Sequence, residues 1–170
     1  MNQPIFCQAD IPKSQWRYGL RSSAATGCGW IACYNALNRL GYSVEPEALI
    51  RYFERQLPVL HGNFGTSIPG PGVLFRQLGF PVHFCGKRTA LDEAVKASDV
   101  AILFYRWRKG LKMGAHFVAV EYRDGRFYGY NTYRNSKAAD DYGESLQWFL
   151  LEKGYFGAIV MGIRDRKTEA

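Results

Sequence analysis

Apolar residues recur at helical spacing in the first half of the chain and alternate with polar residues in the second half. From Cys28 to Leu40 the apolar side chains lie three or four residues apart, and Gly41 follows them. This pattern is typical of an amphipathic helix that ends at a glycine. Similar spacing predicts helices over 44–57 and 70–79. The first half therefore predicts a group of helices.

The second half of the chain predicts mostly β-structure. Two alternating runs flank the sequence RDGR within residues 115–133, and Asp-Gly is a favoured two-residue turn of a β-hairpin. The runs PVHFCG, VAILFYRW and YFGAIVMGI are typical of strands, whereas ALDEAVKAS and ESLQWFLLEKG have features of helices. Helices followed by an antiparallel sheet with inserted helices indicate an α+β fold.

The start of the chain lacks this regularity. Residues 1–25 contain two prolines and few periodic apolar residues, which predicts an extended arm with a short strand at QWRYGL. Thr26 is placed to cap the helix that begins at Cys28. No repeat, low-complexity segment or linker divides the chain, and 170 residues is the size of one ordinary domain. We therefore predict a single domain over 1–170.

Composition and charge narrow the expected setting. The longest apolar runs are too short to cross a bilayer, so membrane insertion is not expected. The four cysteines show neither CxxC spacing nor the density of a secreted disulfide scaffold, which favours a cytoplasmic protein and gives no reason to expect a metal. The net charge of +7 is spread along the chain. Without a recognition motif, nucleic acid is not an expected partner.

Cys28 is the candidate nucleophile. The free N–H groups and the dipole at a helix start favour a thiolate, and Cys28 occupies such a start. Gly27 and Gly29 on either side would let a substrate approach the sulfur closely. The alternative is a buried cysteine that only packs, the commonest role of a free cysteine, and this is the role that we predict for Cys33.

His116 is the candidate general base because it begins a clear strand of the hairpin. Pairing outward from the Asp-Gly turn places His116 opposite Tyr133 and near Asn131. A catalytic histidine needs a partner that fixes its tautomer, and Asn131 could supply it. The alternatives are a structural strand histidine at His116, a strand-end cap at Asn131, and His61 as the base.

The order of these residues resembles that of papain-like cysteine peptidases. The nearest group cleaves double-glycine leaders from bacterial bacteriocin precursors and occurs fused to export transporters. In that group a cysteine followed by glycine begins a helix, as in CGWIACYNAL, and a histidine opens a strand, as in HFVAV. An Asp or Asn follows one hairpin later. The resemblance spans residues 22–133.

The resemblance implies a papain-like fold with N-terminal helices packed on an antiparallel sheet. It implies that Cys28, His116 and Asn131 cleave a peptide bond through a thiol acyl-enzyme, without a cofactor. The substrate would be a peptide or protein, with a precursor peptide or a transporter as partner. The family usually has a glutamine six positions before the cysteine to stabilise the oxyanion. Ser22 stands there instead, so its hydroxyl would share this role with the backbone N–H of Cys28.

Two other functions fit the same residues. Acyl transfer, transglutamination or deamidation can use the same triad, because an amine can resolve an acyl-enzyme in place of water. A non-catalytic module of the same fold would only bind a peptide or an acidic partner. Ser22 in place of glutamine favours this second alternative.

Overall fold

The computed structural model describes residues 3–55 and 65–167, in which helices and strands occur largely where the sequence predicts them. No helix in these ranges is both long and apolar enough to cross a bilayer. The helices are α1 (Ser23–Thr26), α2 (Cys28–Arg39), α3 (Pro46–Arg55), α4 (Gly70–Gln77), α5 (Leu91–Lys96) and α6 (Leu146–Glu152). The strands are β1 (Arg17–Tyr18), β2 (Arg21–Ser22), β3 (Val82–Cys85), β4 (Val100–Lys109), β5 (Lys112–Arg123), β6 (Arg126–Tyr130), β7 (Asp140–Gly143) and β8 (Phe156–Ile163).

A six-stranded antiparallel sheet in the order β3-β8-β4-β5-β6-β7 forms the centre of the fold. Alternate residues of a strand point to opposite faces, and both faces are apolar here. Helices α2, α3 and α4 cover one face, with Trp30, Ile31 and Phe117 among the buried residues. Helices α5 and α6 cover the other face around Leu103 and Val118. The predicted α+β class, with helices packed on an antiparallel sheet, is confirmed.

Helix α2 begins and ends close to the predicted residues. Its last residue is Arg39 and Leu40 is the C-cap, after which Gly41 has a φ of +81°, a conformation that glycine adopts without steric cost. The start differs from the prediction, because the Thr26 side chain does not cap α2. The chain is already helical from Ser23, whose carbonyl accepts a hydrogen bond from the Gly27 N–H at 2.9 Å.

The predicted hairpin is present as β5 and β6. Asp124 and Gly125 have φ values of 50° and 79°, as required by the type I′ turns that suit two-residue hairpins. Arg123 pairs with Arg126 across this turn. The Asp-Gly signal therefore predicts both the turn and the register next to it.

The far end of the hairpin differs from the prediction. The pairing ends at Ala119 opposite Tyr130, because Asn131 has a left-handed φ of 68° and turns the chain out of the strand. His116 consequently has no β6 partner, and the predicted pairing of His116 with Tyr133 is wrong.

The N-terminal arm is only partly extended. It contains a 3₁₀ turn at Gln8–Asp10 and a short hairpin, in which β1 lies within the predicted QWRYGL strand and β2 follows directly after it. Its first described part is fixed to α2, since the Ile5 N–H donates to Asn35 Oδ1 at 2.8 Å and Asn35 Nδ2 donates to the Ile5 carbonyl at 2.9 Å. The arm therefore packs against the helix that carries Cys28.

Glu121 links α2 to the β5–β6 hairpin. Its side chain is buried, and one carboxylate oxygen accepts a hydrogen bond from Arg39 Nε of α2 at 2.7 Å. The other oxygen accepts from the Tyr130 hydroxyl at 2.6 Å and pairs with Arg123 Nε at 3.0 Å. A buried carboxylate with several charge-assisted partners is stable where an unpaired one would not be. This network helps hold α2 against the hairpin that contains His116.

We expect Glu121→Ala to lower the free energy of unfolding by about 2–3 kcal/mol, because Tyr130 and Arg39 lose a buried acceptor. Urea unfolding measures this change. The matched control is Glu93→Ala, since Glu93 pairs with Lys96 at 3.0 Å in an exposed position and such a pair contributes at most about 0.5 kcal/mol. Equal losses in the two variants would contradict this role for Glu121.

Candidate active site

Cys28 lies at the first residue of α2 and faces the edge of β5. Its side chain is half-buried, and the backbone N–H of Phe117 in β5 is among the groups that lower the pKa of its thiol. In an antiparallel strand, every second backbone N–H group points toward the same neighbouring strand. The N–H groups of Ala119 and Phe117 therefore both point to the side on which β6 lies. Because β6 ends opposite Ala119, this edge is open at Phe117 and Cys28 occupies it. Phe117 directly follows His116 in β5.

The environment of Cys28 favours the neutral thiol. Burial raises the pKa of Cys28, and this effect outweighs the hydrogen bonds from the N–H groups of Phe117, Gly29 and Cys28 itself, which lower the pKa. The net direction is opposite to the one expected from a helix start alone. A charged sulfur loses its hydration when buried, and the helix start here is covered by the sheet.

His116 has a defined tautomer in this structure. Its Nε2 lies 2.6 Å from the backbone carbonyl oxygen of Asn131. A carbonyl oxygen can only accept a hydrogen bond, so Nε2 carries the proton and Nδ1 keeps its lone pair. Burial lowers the pKa of His116, although the bond to Asn131 raises it by a smaller amount. The imidazole is therefore neutral near pH 7, with Nδ1 as its basic atom.

The predicted triad requires the Asn131 side-chain amide to contact His116. In the structure, Asn131 contacts His116 through its backbone carbonyl instead. The amide is buried against Gln8 of the N-terminal arm instead. The Gln8 N–H donates to Asn131 Oδ1 at 2.7 Å, and Asn131 Nδ2 donates to Gln8 Oε1 at 3.2 Å. Sequence reasoning did not identify Gln8, since nothing in the local sequence distinguishes it and the contact joins residues 123 positions apart.

Ser22, the first of the two predicted oxyanion donors, is half-buried directly before α1. It lies in β2, where it pairs with Arg17, and makes no capping hydrogen bond to α1. It is not among the residues that line the groove next to His116. Of the two predicted oxyanion donors, the backbone N–H of Cys28 is the one at the start of α2.

Gly27 and Gly29 are required for packing. A Cβ atom at Gly27 would lie 2.6 Å from the Ser23 carbonyl oxygen and 2.7 Å from Trp30 Nε1. At Gly29 it would overlap the Thr66 side chain. We predicted that both glycines would let a substrate approach the sulfur. Both are buried instead, so they do not open a cleft for substrate. They allow the start of α2 to pack closely against its neighbours.

A groove of about 560 Å³ opens beside His116. Its size is within the range of ordinary ligand sites. His116 and Asn131 line it, whereas Cys28 does not. The other lining residues come from the N-terminal arm, α1, β4, the start of β5, the segment after β6 and the turn between α6 and β8: Gln8, Ala9, Ala24, Ala25, Tyr105, Trp107, Arg108, Ala115, Thr132, Tyr133, Arg134, Lys153 and Tyr155.

The remaining cysteines and histidines lie elsewhere. Cys33 is fully buried in the core, which confirms its packing role, and the Cys7 thiol donates to the Arg134 carbonyl at 2.9 Å. His83 is exposed in β3, and His61, the alternative base, lies outside the described residues. Within residues 3–55 and 65–167 no three His, Cys, Asp or Glu side chains are close enough together to hold a metal ion.

Comparison of the sequence with protein-family models gives no match, and comparison with curated proteins gives none either.

Asn131→Gly distinguishes the backbone contact from the side-chain contact. Glycine tolerates the left-handed φ and keeps the carbonyl, so we expect His116 to retain the Nε2–H tautomer and a lowered pKa. Long-range ¹H–¹⁵N spectra recorded over a pH series measure both. Gln8→Ala, which removes only one of the two hydrogen bonds to the Asn131 amide, is the matched control. Loss of the tautomer in Asn131→Gly would show that the amide is required.

The pH dependence of Cys28 alkylation tests the direction of its pKa shift. Burial raises the pKa of Cys28, and only the thiolate reacts with iodoacetamide. We therefore expect the alkylation rate to fall as the pH is lowered, with a midpoint above the ordinary thiol pKa. We expect His116→Ala to leave this midpoint nearly unchanged. A midpoint well below the ordinary value, lost in His116→Ala, would instead indicate a thiolate–imidazolium pair.

Proposed function

We propose that this protein is a cysteine hydrolase that cleaves a peptide bond through a thiol acyl-enzyme. Cys28 is the nucleophile and His116 is the general base and acid. The backbone carbonyl of Asn131 orients His116, and the backbone N–H of Cys28 donates to the developing oxyanion. The substrate is a peptide or a protein segment.

The observation that carries the proposal is the position of Cys28 against β5. The Phe117 N–H acts on the Cys28 thiol and lowers its pKa, and His116, the preceding residue of β5, has its Nε2 2.6 Å from the Asn131 carbonyl oxygen. Nδ1 is therefore the imidazole atom that can accept a proton. A nucleophile, a base and a group that orients the base are the parts that thiol catalysis requires.

The reaction follows from these roles. As the Cys28 sulfur bonds to the peptide carbonyl carbon, the thiol proton passes to His116 Nδ1. The same proton is then donated to the leaving amide nitrogen as the C–N bond breaks, which leaves a thioester on Cys28. Water attacks the thioester, His116 accepts a proton from that water, and the proton returns to the sulfur as the carboxylic acid departs. No cofactor takes part in these steps.

Neutral resting groups are compatible with this order of steps. Burial raises the pKa of Cys28 and lowers that of His116, which favours thiol and imidazole over the ion pair. Deprotonation of the thiol then accompanies attack. His116 acts as a general base in this step, which is most effective when its pKa lies near the working pH.

A non-catalytic peptide-binding module is the second candidate. The raised pKa of Cys28 favours it, because an unactivated thiol is a weak nucleophile. The two candidates differ in one outcome: only the hydrolase breaks a bond.

Incubation with a defined mixture of synthetic peptides, analysed by mass spectrometry, tests the proposal. We expect cleavage by the wild type and a loss of roughly 10³-fold or more in Cys28→Ser and in His116→Gln. Cys85→Ala is the control, since Cys85 lies in the core on the other face of the sheet. Products that carry an added amine in place of a free carboxylate would identify acyl transfer.

Cleavage of the same peptides by both Cys28→Ser and His116→Gln would contradict the proposed mechanism. Binding of a peptide by the wild type without any cleavage would favour the non-catalytic module. Circular dichroism of each variant confirms that the fold is retained.

A further inference from the structure

The groove beside His116 is surrounded by positive charge. Arg108 in β4, Arg134 in the segment after β6 and Lys153 at the end of α6 all line it, and all three are exposed. No Asp or Glu occurs among its described lining residues. Three separate elements therefore place cations around one concave surface, which raises the local concentration of an anionic ligand.

These cations form no ion pairs with carboxylates among the described residues. Arg108 Nε donates to the Gly110 carbonyl at 3.2 Å, and Lys153 Nζ lies 5.9 Å from the centre of the Tyr133 ring. Elsewhere cations do meet carboxylates, as in the exposed pairs of Arg126 with Asp141 and of Lys137 with Asp10. The described part of the chain thus provides no carboxylate partner for the three groove cations, which leaves them available to an anionic ligand.

The walls of the groove are aromatic and carry hydrogen-bond donors. Tyr105 and Tyr155 stack with their ring centres 4.4 Å apart, and the His116 ring lies edge-on to Tyr105 at 5.8 Å. Burial raises the pKa of Tyr133 to about 12, so its hydroxyl remains a donor near pH 7. Cations and phenol donors together suit a carboxylate.

The position of the groove indicates which part of a substrate it holds. In the proposed reaction the acyl half becomes bonded to Cys28, whereas His116 donates a proton to the leaving nitrogen. The groove is lined by His116 and not by Cys28. It is therefore on the side of the leaving amine, where residues C-terminal to the scissile bond would lie.

We propose that this groove binds acidic residues of the substrate on the C-terminal side of the scissile bond, with Arg134 and Lys153 as the residues that determine this specificity. The side of the bond and the choice of a peptide rest on the proposed function, but the preference for an anionic ligand does not. A peptide is the favoured ligand because the groove adjoins the proposed site of peptide cleavage.

Fluorescence anisotropy with the Cys28→Ala chain measures binding without cleavage. The probes are fluorescein-labelled peptides of alternating Glu and Gly, and of alternating Gln and Gly. We expect the Glu peptide to bind about tenfold more tightly, the combined effect of two or three exposed ion pairs. Added salt should remove this preference.

The double variant Arg134→Glu/Lys153→Glu should abolish the preference for Glu. Lys87→Glu is a single charge reversal outside the groove, and we expect it to change the preference less than about twofold. Equal binding of the Glu and Gln peptides would overturn the proposal. The proposal would also be overturned if, per charge reversed, the groove variant and Lys87→Glu lowered the preference for the Glu peptide equally. Net charge alone would then account for binding.

A labelled single-stranded DNA of similar length tests the competing ligand. Tighter, groove-dependent binding of this DNA than of the Glu peptide would overturn the choice of a peptide.

In the cleavage assay with the wild type, bonds followed by Asp or Glu should be enriched among the products. Acidic residues enriched only before the bond would overturn the assigned side. Binding that depends on Arg134 and Lys153 without any cleavage would support the acidic preference while contradicting the proposed function.

Discussion

The left-handed backbone at Asn131 ends β6, and the rest of the candidate site depends on this ending. A left-handed conformation costs a residue other than glycine roughly 1–2 kcal/mol, although asparagine adopts it more readily than most residues. Here the two hydrogen bonds to Gln8 fix the Asn131 side chain and offset that cost. The turn directs the Asn131 carbonyl to His116. It also leaves the edge of β5 free at Phe117, whose N–H acts on the Cys28 thiol.

Burial has two effects on this site. The core between α2 and the sheet, which includes Trp30 and Phe117, holds the start of the helix against β5. Burial of the thiol at this helix start, and of the imidazole beside the Tyr105 ring, favours their neutral forms. The packing that positions the two groups thus also opposes their ionisation in the free protein. Proton transfer during attack avoids a stable buried ion pair, whose desolvation is costly.

Local periodicity predicts the elements that carry the site. The apolar spacing of α2 and the glycine after it predict that helix, and the Asp-Gly turn predicts the register of the hairpin near Gly125. Both depend on residues a few positions apart. These signals were sufficient to select Cys28 and His116 as candidates.

Long-range contacts account for what the sequence did not predict. The end of β6 depends on Asn131 meeting Gln8, and the close packing of Gly29 depends on Thr66. Neither partner is near in sequence. The pKa direction at Cys28 was likewise not predicted, because it depends on how the sheet covers the helix start. Extending the hairpin register beyond Tyr130 therefore gave a regular pairing that the structure does not have.

The account depends most on Cys28 acting as a nucleophile with the help of His116. Rapid-quench mass spectrometry after mixing with p-nitrophenyl acetate tests this without knowledge of the substrate. The account predicts that an acetyl group appears first on Cys28, is released with time, and does not form in His116→Gln. Acetylation spread over surface amines, with Cys28 unmodified, would contradict it.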